Sequence, residues 1–144
     1  MLRIAAFTLI GGLASLAWSA QQNEKKAEAK ADELTIIGQL VPNDLPDKQR
    51  KHPCKIHTLK LSKDKVYVID LMSMDFDTYL RVEDSKSKNL AEDDDGGEGL
   101  NSRLRFLPPA DDTYQIIVTS FAGGAGTYTL KLRVVGKNEP VKKG

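Results

Sequence analysis

The densest group of chemically capable residues is Asp93-Asp94-Asp95-Gly96-Gly97-Glu98. Calcium takes six to eight oxygen ligands at about 2.3–2.6 Å, and a carboxylate-rich turn with glycines can supply them. The spacing does not follow an EF-hand loop. With Asp93, Asp95 and Gly96 in place, the first position of that loop falls on Ala91 and the twelfth on Ser102. Asp75 and Asp77 complete a calcium cage if they lie at the same end of the fold. The candidate metal ligands are therefore Asp93, Asp94, Asp95, Asp75 and Asp77. A simpler assignment makes the cluster a solvated turn whose Asp and Gly residues satisfy local backbone groups. In that assignment Asp77 hydrogen-bonds backbone amides in the turn before Tyr79.

A second group offers a nucleophile and a base: His52-Pro53-Cys54 and His57. On an extended chain His52 and Cys54 share a face, while His57 points the opposite way. A Cys–His hydrolase also needs a group that orients the histidine, and an oxyanion hole. No acidic residue is placed for the first task, so the expectation is no catalysis and a packed, inert thiol. His52 and His57 are separated by an odd number of residues and cannot form a metal pair on one strand face. Tyr67, Tyr79, Tyr114 and Tyr128 offer an aromatic platform, or core rings with hydroxyls at the rim. The second assignment is the expectation for most of them. Gly123-Gly124-Ala125-Gly126 lacks the strand-to-helix setting of a phosphate cradle and fits a flexible hairpin connection.

The chain that must position these groups has 144 residues, with 21 Lys plus Arg against 20 Asp plus Glu. That +1 balance excludes a dedicated nucleic-acid binder. One cysteine excludes an internal disulfide and a cysteine-based zinc site. Hydrophobic residues make up 40%, enough for a packed core and unlike a disordered chain.

Met1-Leu2-Arg3 followed by the uncharged run Ile4–Leu16 and Ala17-Trp18-Ser19-Ala20 matches a secretory leader. Cleavage after Ser19 places small residues at both recognition positions, whereas cleavage after Ala20 places Trp18 at one. An uncleaved anchor is disfavoured, because the run is shorter than the ~20 residues a span needs. Residues 1–20 are thus expected to be a signal peptide, with export to the periplasm or the extracellular space and no membrane span afterwards. Arg3 is the leader's only charge, so its removal leaves 20 basic and 20 acidic residues. The neutrality hides segregation. Asp44 to Lys65 has seven Lys or Arg against three acids, and Asp75 to Glu98 has nine acids against three bases.

Residues 21–33 are polar, rich in Ala, Lys and Glu, and read as a tether. Residues 137–144 read as a disordered tail. Between them the hydrophobic period is mostly two. Strands are predicted at Leu34–Leu40, Lys55–Leu61, Val66–Met72, Tyr79–Val82, Asn89–Glu92, Arg103–Leu107, Tyr114–Ser120 and Thr127–Val135. Pro42 to Asp47 forms a turn-rich loop, and Pro108-Pro109 ends the sixth strand. About eight short strands without an amphipathic helix predict an all-β fold, an antiparallel, jelly-roll-like β-sandwich over residues 34–136.

The ordered series VYVIDL (66–71), MDFDTYL (74–80), LAEDDDGG (90–97), NSRL (101–104), TYQI (113–116) and GTYTL (126–130) resembles the bacterial pre-peptidase C-terminal domain. The resemblance runs from about Leu34 to Val135. It implies a small β-sandwich without catalytic activity, in an accessory role in secretion, substrate binding or matrix binding. Some relatives, the collagen-binding domains of clostridial collagenases, bind calcium and collagen. The implied partners are an exported protein, a peptidase, or an extracellular matrix or polysaccharide polymer, with no nucleic acid. This chain carries no peptidase domain, which favours a free-standing module. The alternatives are a peptidase-associated secretion or folding factor acting in trans and, less favoured, a small hydrolase.

Overall fold

The computed structural model describes residues 32–140. The leader, the tether up to residue 31 and residues 141–144 lie outside the described residues. Eight strands follow one another: β1 Glu33–Leu40, β2 Lys55–Leu61, β3 Val66–Met72, β4 Thr78–Glu83, β5 Asn89–Asp93, β6 Ser102–Phe106, β7 Asp112–Ser120 and β8 Gly126–Val135. They form two four-stranded sheets, ordered β1-β8-β3-β6 and β2-β7-β4-β5. Every pairing is antiparallel. Two interleaved sheets in this order make a jelly roll, as expected from the sequence.

Alternation decides which residues face inward. From the first sheet Tyr67, Ile69, Leu71, Phe106, Tyr128, Leu130 and Leu132 enter the core. From the second, Leu61, Leu80, Val82, Tyr114, Ile116 and Val118 meet them. A smaller cluster of Val66, Val68 and Val135 lies apart from this core. Strands β3 and β4 are buried almost throughout, because they are central in their sheets and something covers their outer faces.

For β4 the cover is the long β1–β2 connection. Asp47 lies 3% exposed beneath it and takes two hydrogen bonds from Arg81, itself 1% exposed. The Nε of Arg81 donates to Glu83 at 2.9 Å. The sequence predicts a turn-rich loop here. It is folded down by a buried ion triad, and the Pro46–Pro53 bridge pins its base.

Antiparallel alternation puts the β1–β2, β3–β4, β5–β6 and β7–β8 connections at one end. The tight Ser62–Lys65 turn and the Glu83–Lys88 turn sit at the other. Asp84 organises the second turn by accepting from the amides of Lys86 and Lys88, both at 2.9 Å.

Candidate functional site

The end carrying the four connections holds the five candidate metal ligands, His52, Cys54 and the glycine run at 123–126. Three of its loops are tied together by hydrogen bonds. The Ser73 amide donates to Asn101 Oδ1 at 3.0 Å, and Thr78 N donates to the Leu100 carbonyl at 3.1 Å. Phe121 N donates to the Asp77 carbonyl at 3.0 Å. Ser73 Oγ donates to the Thr127 carbonyl at 2.8 Å. Hydrogen-bonded loops at the end of a rigid sandwich hold a defined surface.

Hydrogen bonding distinguishes four of the five candidate metal ligands. Asp93 Oδ2 accepts from the amides of Gly96, at 2.7 Å, and Arg103, at 2.8 Å. Asp75 Oδ2 accepts from the Thr127 amide at 2.7 Å. These two carboxylates brace loops. Gly126 is required beside Asp75: its φ is 144°, and a Cβ there would run into the Asp75 side chain. Asp94 Oδ1 accepts only from the amide of its neighbour Asp95, at 3.0 Å. Asp77 differs from all of them, because its Oδ1 is buried with no hydrogen-bond partner.

The amide-bonding role expected of Asp77 is therefore not what the turn uses. Thr78 N goes to Leu100, and the amides of Asp75 and Phe76 go to Ser73 Oγ at 3.0 and 3.3 Å. Ser73 does the local work because its hydroxyl sits within the turn, while Asp77 faces the β5–β6 loop. Burial pushes the Asp77 carboxyl up from the usual range, and the charges of Asp95 and Asp94 push it further. The Arg50 charge opposes this weakly. Among the described residues, no three His, Cys, Asp or Glu side chains are gathered as a ready-made metal site. What the set offers is one orphaned, buried oxygen of Asp77 within reach of the charges of Asp95 and Asp94.

The Cys–His pair takes no catalytic geometry. His57 Nε2 lies 2.8 Å from the Tyr128 hydroxyl, on the core side of β2. Burial, then the Lys55 charge, lowers its affinity for a proton. Burial, then Asp47, raises the Cys54 pKa, which disfavours the thiolate a nucleophile needs. His52 packs instead against Gly123 in the β7–β8 loop.

The tyrosines are core rings with anchored hydroxyls. Tyr114 Oη donates to the Ala110 carbonyl at 2.8 Å, and Tyr67 Oη accepts from Ser62 N at 3.1 Å. Tyr79 is used differently. The Arg50 guanidinium lies 4.1 Å from its ring centre and 4.2 Å from that of Phe121, wedged between the two rings. Nothing in the local sequence signals this contact, since its members come from the β1–β2 loop, β4 and the β7–β8 loop. The Asp47–Arg81–Glu83 triad went unseen for the same reason. Its one trace was a long charged side chain between Leu80 and Val82 in an otherwise apolar strand.

In the β3–β4, β5–β6 and β7–β8 loops Met74 is fully exposed, Leu100 is 58% exposed and Phe121 is 42% exposed, and the β1–β2 loop adds Leu45 and Val41. The carboxylates of Asp75, Asp94, Asp95 and Glu98 lie in the same loops.

No family model matches this chain, and no curated protein does. Several solved structures are similar in fold, two of them as follows. One is PliG of Aeromonas hydrophila, a periplasmic inhibitor of g-type lysozyme. Its TM-score is 0.55 at 13% identity, over 72% of this chain and 87% of that one. The other is the pre-peptidase C-terminal domain of a collagenase from Bacillus anthracis. Its TM-score is 0.51 at 15% identity, over 71% of this chain and 90% of that one. At these identities the likeness establishes the fold. The resemblance to the pre-peptidase C-terminal domain thus holds at the level of architecture.

Proposed function

We propose that the protein is an exported, non-catalytic binding module that docks a protein partner through its four-loop end. The observation that carries this reading is the surface of that end: Met74, Leu100 and Phe121 project among carboxylates from hydrogen-bonded loops. Apolar side chains exposed to water on a braced scaffold suit an interface core, and flanking charges suit its rim. The neighbouring fold of a lysozyme inhibitor makes a cell-wall hydrolase the first partner to test. An exported peptidase or a matrix polymer follows from the second neighbour.

The test is direct binding of the purified protein to a g-type lysozyme, a secreted peptidase and an insoluble matrix polymer. Saturable binding to one of them, lost in Met74→Asp and Phe121→Ser, supports the reading. Absence of binding to all three, or binding that both variants retain, overturns it.

Calcium is a second element of the proposal, favoured by the orphaned Asp77 oxygen. Asp77, Asp94 and Asp95 would hold the ion, relieving their mutual repulsion and stiffening the β5–β6 loop. Asp93 and Asp75 would brace the loops around it.

A further inference from the structure

The first sheet ends in β1, and this edge differs from the other three. Exposed sheet edges attract unwanted strands, and proteins blunt them with charges, proline, bulges or brevity. Edge β6 carries Arg103 and Arg105 and runs into Pro108-Pro109. Edge β5 has five residues, ends Glu92-Asp93, and its pairing slips register at Val82/Glu83. Edge β2 carries Lys55 and Lys60 and follows Pro53. Edge β1 reads ELTIIGQL over eight residues, with one acid at its first position and neither lysine nor proline.

The hydrogen-bonding pattern shows which of its backbone groups are open. Val134 N donates to the Asp32 carbonyl at 2.8 Å. Leu34↔Leu132, Ile36↔Leu130 and Gly38↔Tyr128 continue the same register. Antiparallel ladders alternate, so the even-numbered residues of β1 bond to β8. The N–H and C=O of Glu33, Thr35, Ile37 and Gln39 point away from the sheet. Their side chains are all exposed, and Ile37 is 75% exposed.

We propose that β1 is a self-association edge, occupied by β1 of a second copy of this chain running antiparallel across a two-fold axis at Ile37. The register is self-complementary. Ile37 meets Ile37, and Thr35 meets Gln39 twice, which joins outward groups only to outward groups. That gives about six inter-chain hydrogen bonds. Side chains keep their faces, because residues of equal parity pair. The two exposed isoleucines cover each other on the axis, as cross-strand β-branched pairs do. Glu33 falls opposite Val41, so no like charges oppose. The two four-stranded sheets then become one continuous sheet. A second copy is favoured over a foreign peptide because this one strand supplies a matching set of donors, acceptors and apolar contact to itself.

Sedimentation and light scattering on protein expressed from the full chain, across a concentration series, test this. The expected result is a monomer–dimer equilibrium. Ile37→Lys puts two like charges on the axis and is expected to raise the dissociation constant more than about tenfold. Ile37→Pro removes an N–H that β8 does not use, so the fold stands while the dimer is lost. Register is read by mild oxidation in a Cys54→Ser background. Ile37→Cys should cross-link two copies, since facing Cα atoms lie about 5.5 Å apart. Thr35→Cys, also exposed but displaced from the axis, should not. A chain that stays monomeric at about 1 mM overturns the proposal. So does a dimer that Ile37→Lys leaves intact, or cross-linking equal at both positions.

Discussion

Asp47 of the β1–β2 loop and Arg81 of β4, 34 residues apart, meet through two hydrogen bonds and are both almost fully buried. The guanidinium fork spends its third direction on Glu83. Asp47 Oδ2 also accepts from the amides of Gln49, at 3.1 Å, and Arg50, at 2.7 Å. One carboxylate thus shapes the loop and clamps it to the outer face of the second sheet. Every element at the four-loop end that comes from this loop, Arg50 and His52 included, depends on that clamp.

Breaking a buried ion pair from one side leaves a charge uncompensated. Asp47→Ala is therefore expected to cost about 3–5 kcal/mol in urea unfolding. The pH dependence carries a sign. Burial pushes the Asp47 carboxyl up, but hydrogen bonds from Arg81 and Arg50 and the charge of Arg81 hold it below the usual range. Its contribution is present above the unfolded carboxyl value of 3.8 and is lost as the pH falls through the lower folded value. Asp47→Asn should flatten this acid limb of the stability profile. An unchanged acid limb would sink the assignment.

The jelly roll was legible in the sequence because it is written in local alternation. Strands such as ELTIIGQL and KIHTLKL alternate exposed with half-buried or buried residues, VYVIDLM is a β-branched and aromatic run, and Pro108-Pro109, the glycine run at 123–126 and Ser62–Lys65 punctuate the chain. Strands β2 and β3 match their predicted bounds, and the others differ by one or two residues, where hydrogen bonding outruns composition. The acidic turn was legible as composition. The division of labour within it was not. Asp93 reaches the Arg103 amide across the β5–β6 loop and Asp75 reaches the Thr127 amide 52 residues away, and no spacing rule encodes either partner. The same holds for Arg50 between Tyr79 and Phe121.

Asp77 offers a test of both the acidic site and its cation. Its folded carboxyl is raised, first by burial and then by Asp95 and Asp94, so its ionisation opposes folding at neutral pH. The opposition fades as the pH falls through the raised folded value, where the group takes up its proton. Asp77→Asn should therefore raise the thermal midpoint at neutral pH, and the gain should shrink on acidification. Calcium should raise the midpoint of the parent protein and leave Asp77→Asn unmoved. A calcium response equal in both would remove Asp77 from the site, and no response in the parent would remove the ion.

His57 predicts a second pH effect in a separate range. Burial, followed by the Lys55 charge, lowers its folded pKa from the ordinary 6.5. The unfolded chain then binds a proton that the folded chain refuses. Stability is full above 6.5 and falls as the pH drops from there towards the folded value. His57→Gln keeps a group able to reach the Tyr128 hydroxyl without titrating. Thermal melts between neutral and mildly acidic pH should show a smaller slope in this variant. An equal slope would mean that another group carries the effect.

The Arg50 wedge supplies the last prediction. Its guanidinium lies over both Tyr79 and Phe121, yet Nε and Nη2 are buried without partners. Each ring contact contributes about 0.5–1 kcal/mol at a site of this kind. Each orphaned N–H costs about 1–3 kcal/mol. Two ring contacts then contribute about 1–2 kcal/mol against about 2–6 kcal/mol for the two orphans, so the guanidinium does not stabilise on balance and what Arg50 adds is the packing of its stem. Arg50→Met keeps that packing and removes the orphans, and it should unfold within about 1 kcal/mol of the parent, or above it. Arg50→Ala loses the stem and uncovers both rings, and it should be clearly less stable. If methionine proves as damaging as alanine, the charge over the rings is the stabilising element, and Arg50 belongs with the clamp rather than the filling of this end.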